Sequence, residues 1–138
     1  MTTFIASQHQ QVRLIAAVTL LSWLGEYLHN LVDLPHLTVL SPENSIPAAI
    51  SVVLFAVWWQ SPFRGLATAA LAGWAIFNLI GGAIISVIPF SFLPFYPAQT
   101  PTHYLMHILY GLAQLPLIVA LIRQRPTADG LIPVNSGE

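Results

Sequence analysis

Cysteine and lysine are both absent from this chain, and only 7% of its 138 residues carry a formal charge. Without cysteine there is no disulfide, no thiolate metal ligand and no thiol redox chemistry, although the compartment is left open. With no lysine, only four arginines and a formal net charge of −1, no phosphate-neutralising patch can form, and a nucleic-acid partner is excluded. The scarcity of charge excludes more than this. A soluble domain has about a quarter of its residues charged, whereas this chain is 56% hydrophobic and has too few polar side chains to cover a water-facing surface. The solvent it implies is a lipid bilayer. At this length it is one domain, residues 1–138, and no linker or fixed-period repeat divides it.

Four apolar stretches occur, at about 12–32, 46–60, 66–88 and 102–122. Most are long enough at 1.5 Å per residue to cross a hydrocarbon core of roughly 30 Å. The second is short and ends in the pair Trp58-Trp59, residues suited to a headgroup boundary. Asp33, Pro35 and the run Ser41 to Ser45 close the first stretch. Ser61 to Gly65 is a compact turn, and Pro89 to Pro101, with four prolines, reads as an aromatic interfacial loop. Thr102 is the expected cap of the fourth span, and Pro116 is expected to kink it. The polar N-terminal segment lacks the layout of a cleavable signal, so the first span is expected to be its own targeting signal. Residues 124–138 form a polar tail.

The fold class read from this pattern is all-α: an integral membrane four-helix bundle. Its orientation follows from the arginines. Arg13 precedes span one, Arg64 lies between spans two and three, and Arg123 and Arg125 follow span four, so all fall on one side. Asp33 and Glu43 fall in the opposite loop. By the positive-inside rule both termini and the tail are cytoplasmic, N-in/C-in. Gly65, Ala69 and Gly73 repeat at i+4, followed by Gly81-Gly82, and this small-residue stripe is expected to face protein. Homo-oligomerisation, or incorporation into a larger membrane complex, is compatible with so short a chain.

Chemistry is expected where ionisable groups sit at membrane depth, since each costs roughly 2.5–3.5 kcal/mol there and needs a partner or a task. Span one carries Glu26, His29, Asn30 and Asp33 on one face; span four carries His103, His107, Tyr110 and Gln114 at helical spacing. Antiparallel placement brings both sets to the same outer depth. The expected metal ligands are Glu26, His29, His103 and His107, a set suited to Zn(II), Cu(II) or Fe(II). Asn30, Asp33, Asn78, Tyr110 and Gln114 are expected to orient the ligand rings. His36 and Glu43 are expected above the cluster and Asn78 below it.

Three alternatives remain at this point. His29 with His103 or His107 could be axial ligands of a b-type haem or a chlorin. Glu26 could be the acid or base of a cofactor-free enzyme, or the site could bind a lipid-like ligand without catalysis. The chain could instead be an accessory structural subunit. Whether it is an enzyme is left open by the residues alone.

Overall fold

No glycine or proline interrupts the chain between its start and Gly25, and helix formation there meets no breaker. In the computed structural model, which describes residues 2–34, 36–93 and 96–124, the first helix, α1, accordingly runs Thr2–Asp33. It begins ten residues before the apolar stretch and stops just before Pro35, whose ring disfavours helical geometry in the residue that precedes it. The tail from residue 125 onward lies outside the described residues.

The second helix, α2, spans Pro42–Gln60 with proline in its first turn and Glu43 beside the positive end of the helix dipole. Pro47 lies inside α2 and offers no amide to the Glu43 carbonyl. That carbonyl instead accepts from Asn30 Nδ2 at 3.3 Å. A defect in one helix thus becomes a tie to another.

The third helix, α3, spans Arg64–Phe77 and continues as a π-helical segment, Asn78–Ile84, and a short 3-10 turn, Ile85–Val87. The fourth, α4, spans Pro101–Arg123. Its cap is Thr100, which accepts from the His103 amide at 3.2 Å, and not Thr102 as the sequence suggested. Pro101 is the reason: it fits the first helical position, where the missing amide leaves nothing unsatisfied, and this moves the cap one residue upstream of it. Pro116 lies within α4.

All four helices form a ring in which sequence neighbours touch and α1 with α4, the most extensive contact, closes it. No strand is present among the described residues. A hydrophobic core of Ile15, Trp58, Leu71, Ala75, Leu117 and Leu121 fills the end remote from Asp33. The face of α3 turned inward carries Ala67, Leu71 and Ala75. Gly65 and Gly73 face outward, and a methyl group added at either would meet nothing within 4 Å, so the i+4 small-residue stripe does not pack against protein in this chain. The glycines that do permit close approach are Gly25, where a methyl group would collide with Ala113 across the α1–α4 seam, and Gly82, where it would meet Tyr110 at 2.8 Å from Cε1.

Polarity is inverted relative to a water-soluble protein. Thr19, Ser22, Asn30, Asn44, Ser51, Asn78, His103, His107 and Gln114 are buried, while Leu66, Phe63 and Val52 are 74%, 73% and 66% exposed. Two helical rods, Arg64–Val87 and Pro101–Arg123, are long and apolar enough to cross a membrane.

Candidate metal centre

Inward residues on α1 and α4 both follow alternating steps of four and three. On α1 these are Ile15, Thr19, Ser22, Glu26, His29 and Asp33; on α4 they are His103, His107, Tyr110, Gln114, Leu117 and Leu121. This heptad spacing keeps one stripe facing its partner along the whole seam. The helices run antiparallel in a constant register, so the stripes meet as rungs. Asp33 Oδ2 is 2.7 Å from His103 Nδ1. One rung deeper, His29 Nε2 is 2.9 Å from His107 Nε2. The register places Glu26 across from Tyr110. Below them the Ser22 hydroxyl donates to Gln114 Oε1, whose amide donates back to the Ser22 carbonyl at 3.0 Å. Aliphatic packing of Ile15 with Leu117 and Leu121 ends the series.

The first two rungs fuse into one cluster. Asp33 Oδ2 also lies 3.0 Å from His29 Nε2. One potential ligand atom from each of His29, Asp33, His103 and His107 lies within 4.8 Å of the others. This group could hold a metal ion. Tetrahedral zinc ligands at 2.0–2.1 Å from the ion stand about 3.3 Å apart, so the closest pairs would open by a few tenths of an ångström and the widest, up to 4.8 Å, would close by more.

The surrounding hydrogen bonds determine which ring nitrogens are free. His107 Nδ1 faces the Ala83 carbonyl at 3.0 Å, and a carbonyl can only accept; the proton is therefore on Nδ1 and Nε2 is bare. Ala83 is next to last in the π-helical segment, and the amide five residues on, that of Ile88, turns to the Ile85 carbonyl instead. His29 is set by a chain of amides. Asn44 Nδ2 donates to the Thr38 carbonyl at 2.8 Å, and Asn30 Nδ2 donates to Asn44 Oδ1 at 2.9 Å. Asn30 Oδ1 is then the acceptor that meets His29 Nδ1 at 3.1 Å. This leaves His29 Nε2 bare as well.

With both rings neutral, two imidazole lone pairs and a carboxylate oxygen converge within hydrogen-bond distance, a place for one cation, whether a metal ion or a shared proton. Like dipoles so placed repel unless a cation lies among them. His103 adds a further nitrogen: it is buried, and its Nε2 has no partner among the described residues. Imidazole and carboxylate without sulfur suit Zn(II), Cu(II) or Fe(II). Holding each ligand ring through its other nitrogen is the arrangement that orients metal-binding histidines.

Placement of the remaining candidates differs from the sequence reading. The carboxylate in the cluster is that of Asp33, and Glu26, half-buried one rung deeper, is outside it. The cause is geometric, since the antiparallel register pairs His29 and His103 with the residue one turn past His29, not with the one before it. Asn30 does contact a ligand ring. Tyr110 directs its hydroxyl to Asn78 Oδ1 at 2.7 Å, and Asn78 is tied to the Trp74 carbonyl at 2.9 Å, so these two support the π-helical segment. Gln114 is occupied by Ser22. His36 is exposed in the α1–α2 loop, and Glu43 contributes its backbone carbonyl. Asn44 carries no signal in the sequence, where it reads as part of a polar turn. The Ala83 carbonyl leaves no sequence signal either. No protein-family model, curated protein or solved structure matches the chain.

Proposed function

We propose that this chain is a four-span integral membrane protein, N-in/C-in, that holds a divalent transition ion, Zn(II), Cu(II) or Fe(II), between the outer ends of α1 and α4. His29 Nε2, His107 Nε2, Asp33 and His103 are the ligands. The observation that carries this reading is the convergence of bare His29 Nε2, bare His107 Nε2 and Asp33 Oδ2 at 2.9 and 3.0 Å. An ion turns that mutual repulsion into attraction and satisfies all the groups together. Three nitrogens and one oxygen complete a tetrahedral shell, the form of sites that hold metal firmly.

Lipid contact is supported by the inverted polarity and by the two rods that meet the length and composition of a span. Exposed apolar residues on the other two helices, among them Leu14, Leu20, Val52 and Val53, extend the same surface around the ring. Orientation rests on the arginine distribution. A haem or chlorin fits less well than an ion. His29 and His107 nitrogens 2.9 Å apart leave no room for a macrocycle between them unless α1 and α4 separate.

Elemental analysis of detergent-purified protein tests the ion, with one divalent metal per chain expected and none in His107→Ala. Tags at either terminus should be reachable only from the cytoplasmic side. Metal-free protein with unaltered behaviour in His107→Ala would replace the ion by a shared proton, and the site would become an acid–base centre.

A further inference from the structure

We infer that the groove between the π-helical segment and α4 is a specific seat for one hydrocarbon chain of a membrane lipid, entered from within the bilayer. The inference rests on the membrane reading above but not on the metal. The groove has a volume of about 410 Å³ and is lined by Leu79, Ala83, Ile108, Leu112 and Leu115, with His107 on its wall. That volume falls in the range of small-molecule sites.

Its shape arises from the backbone. Wider π-helical turns are rare and mark functional places more often than chance. Here one occupies Asn78–Ile84, directly across from Gly111. The absence of a side chain at Gly111 deepens the floor: an added methyl group would meet Ala83 and Leu79 at 3.4 Å each.

Length and polarity select the occupant. Along α4 the groove extends from Tyr104 to Leu115, about 16 Å at the helical rise, which is half of a hydrocarbon core of roughly 30 Å and so one leaflet deep. Its end near the cluster is polar: the Tyr104 hydroxyl donates to Gln99 Oε1 at 2.5 Å, and Gln99 Nε2 donates to the Val87 carbonyl at 3.3 Å. Below that mouth the lining is aliphatic apart from His107. A polar rim over a trough one leaflet deep matches an amphiphile with its head at the rim. The side opens laterally, where Ile84, Ile108 and Leu112 are 50%, 58% and 55% exposed.

The test uses full-length protein in phosphatidylcholine vesicles containing a phosphatidylcholine with a diazirine on one acyl chain. After irradiation, labelled peptides are mapped by mass spectrometry. Labelling at Leu79–Ile84 and Ile108–Leu115 is expected to exceed that at Val52 and Val53, an ordinary lipid-facing control, by about tenfold. Leu112→Trp, or Ile108→Trp should the first not fold, fills the groove and should bring its labelling down to the control level. Leu66→Trp places the same bulk at a lipid-facing position outside the groove and should leave the enrichment intact. Uniform labelling of all apolar faces overturns the inference, as does enrichment that survives both groove variants or is lost in Leu66→Trp. Protein that does not float with the vesicles overturns the membrane reading and this inference with it.

Discussion

Replacing Asp33 by asparagine separates the two carboxylates that could serve the cluster. The change preserves size and leaves an oxygen in place, but it removes the negative charge that lies 2.7 Å from His103 and 3.0 Å from His29. Changing a group that only orients a ligand commonly lowers metal affinity 10–100-fold, and loss of a direct anionic ligand should cost at least the upper figure, about 100-fold or ~2.7 kcal/mol. Glu26→Gln is the matching change one rung deeper, where it takes away no ligand, and its effect should be smaller by at least about tenfold. The assay is competition for metal against a chromophoric chelator at about pH 7.5, above the ordinary imidazole range, with metal-stripped protein in detergent. If Glu26→Gln abolishes binding while Asp33→Asn retains it, the register argument is wrong and the ligand set must be redrawn around Glu26.

Metal affinity should also respond to pH with a definite sign. A ligating imidazole must be neutral, so affinity is retained above the imidazole range and falls as pH drops through about 6.5, by up to one decade per pH unit for each histidine that protonates. The same chelator competition at stepped pH measures this, and a profile that stays flat through the whole acid range in which the protein remains folded would exclude histidine ligation. Gly25→Ala and Gly73→Ala should shift stability in opposite directions. The former drives a methyl group into Ala113 and should cost about 1–3 kcal/mol, whereas the latter meets nothing within 4 Å and gains helix propensity of up to about 1 kcal/mol. Reversible unfolding in mixed micelles reads both; destabilisation by Gly73→Ala would restore the i+4 stripe as a packing face.

Much of the architecture is legible in the sequence because it depends on periodicity. The steps of four and three that place His103, His107, Tyr110 and Gln114 on one face follow from helical geometry alone, and so does the matching face of α1. Spacing misleads about the packing glycines for an equally physical reason. Gly65, Ala69 and Gly73 have the spacing of an interface, but spacing does not say which way a stripe points; Ala67, Leu71 and Ala75, two residues away around the helix, are the ones turned inward. Gly25 stands alone among larger residues, so no pattern marks it, yet a methyl group there would collide with Ala113 across the α1–α4 seam.

The choice between Glu26 and Asp33 turns on a quantity that no single helix contains. Either carboxylate lies one turn from His29, on opposite sides of it, and both share its face. What decides is the register between α1 and α4, which sets Asp33 against His103 and Glu26 against Tyr110. Register in turn is constrained at several rungs: by the reciprocal Ser22–Gln114 pair, by Gly25 against Ala113, and by the aliphatic packing of Ile15 with Leu117 and Leu121. A slip by one heptad would put hydroxyl and amide groups against aliphatic ones and leave them without partners, at about 1–3 kcal/mol for each buried group. The deeper half of the seam, which holds no candidate ligand, therefore decides which residues meet in the cluster. The last constraint comes from outside the seam. Asn30 reaches Asn44 and the carbonyl that Pro47 leaves free in α2, and the same side chain holds His29 in the tautomer that bares Nε2. The orientation of His29 is thus shared between Asn44, itself tied to the Thr38 carbonyl, and the carbonyl freed by a proline 18 residues from His29 in the next helix.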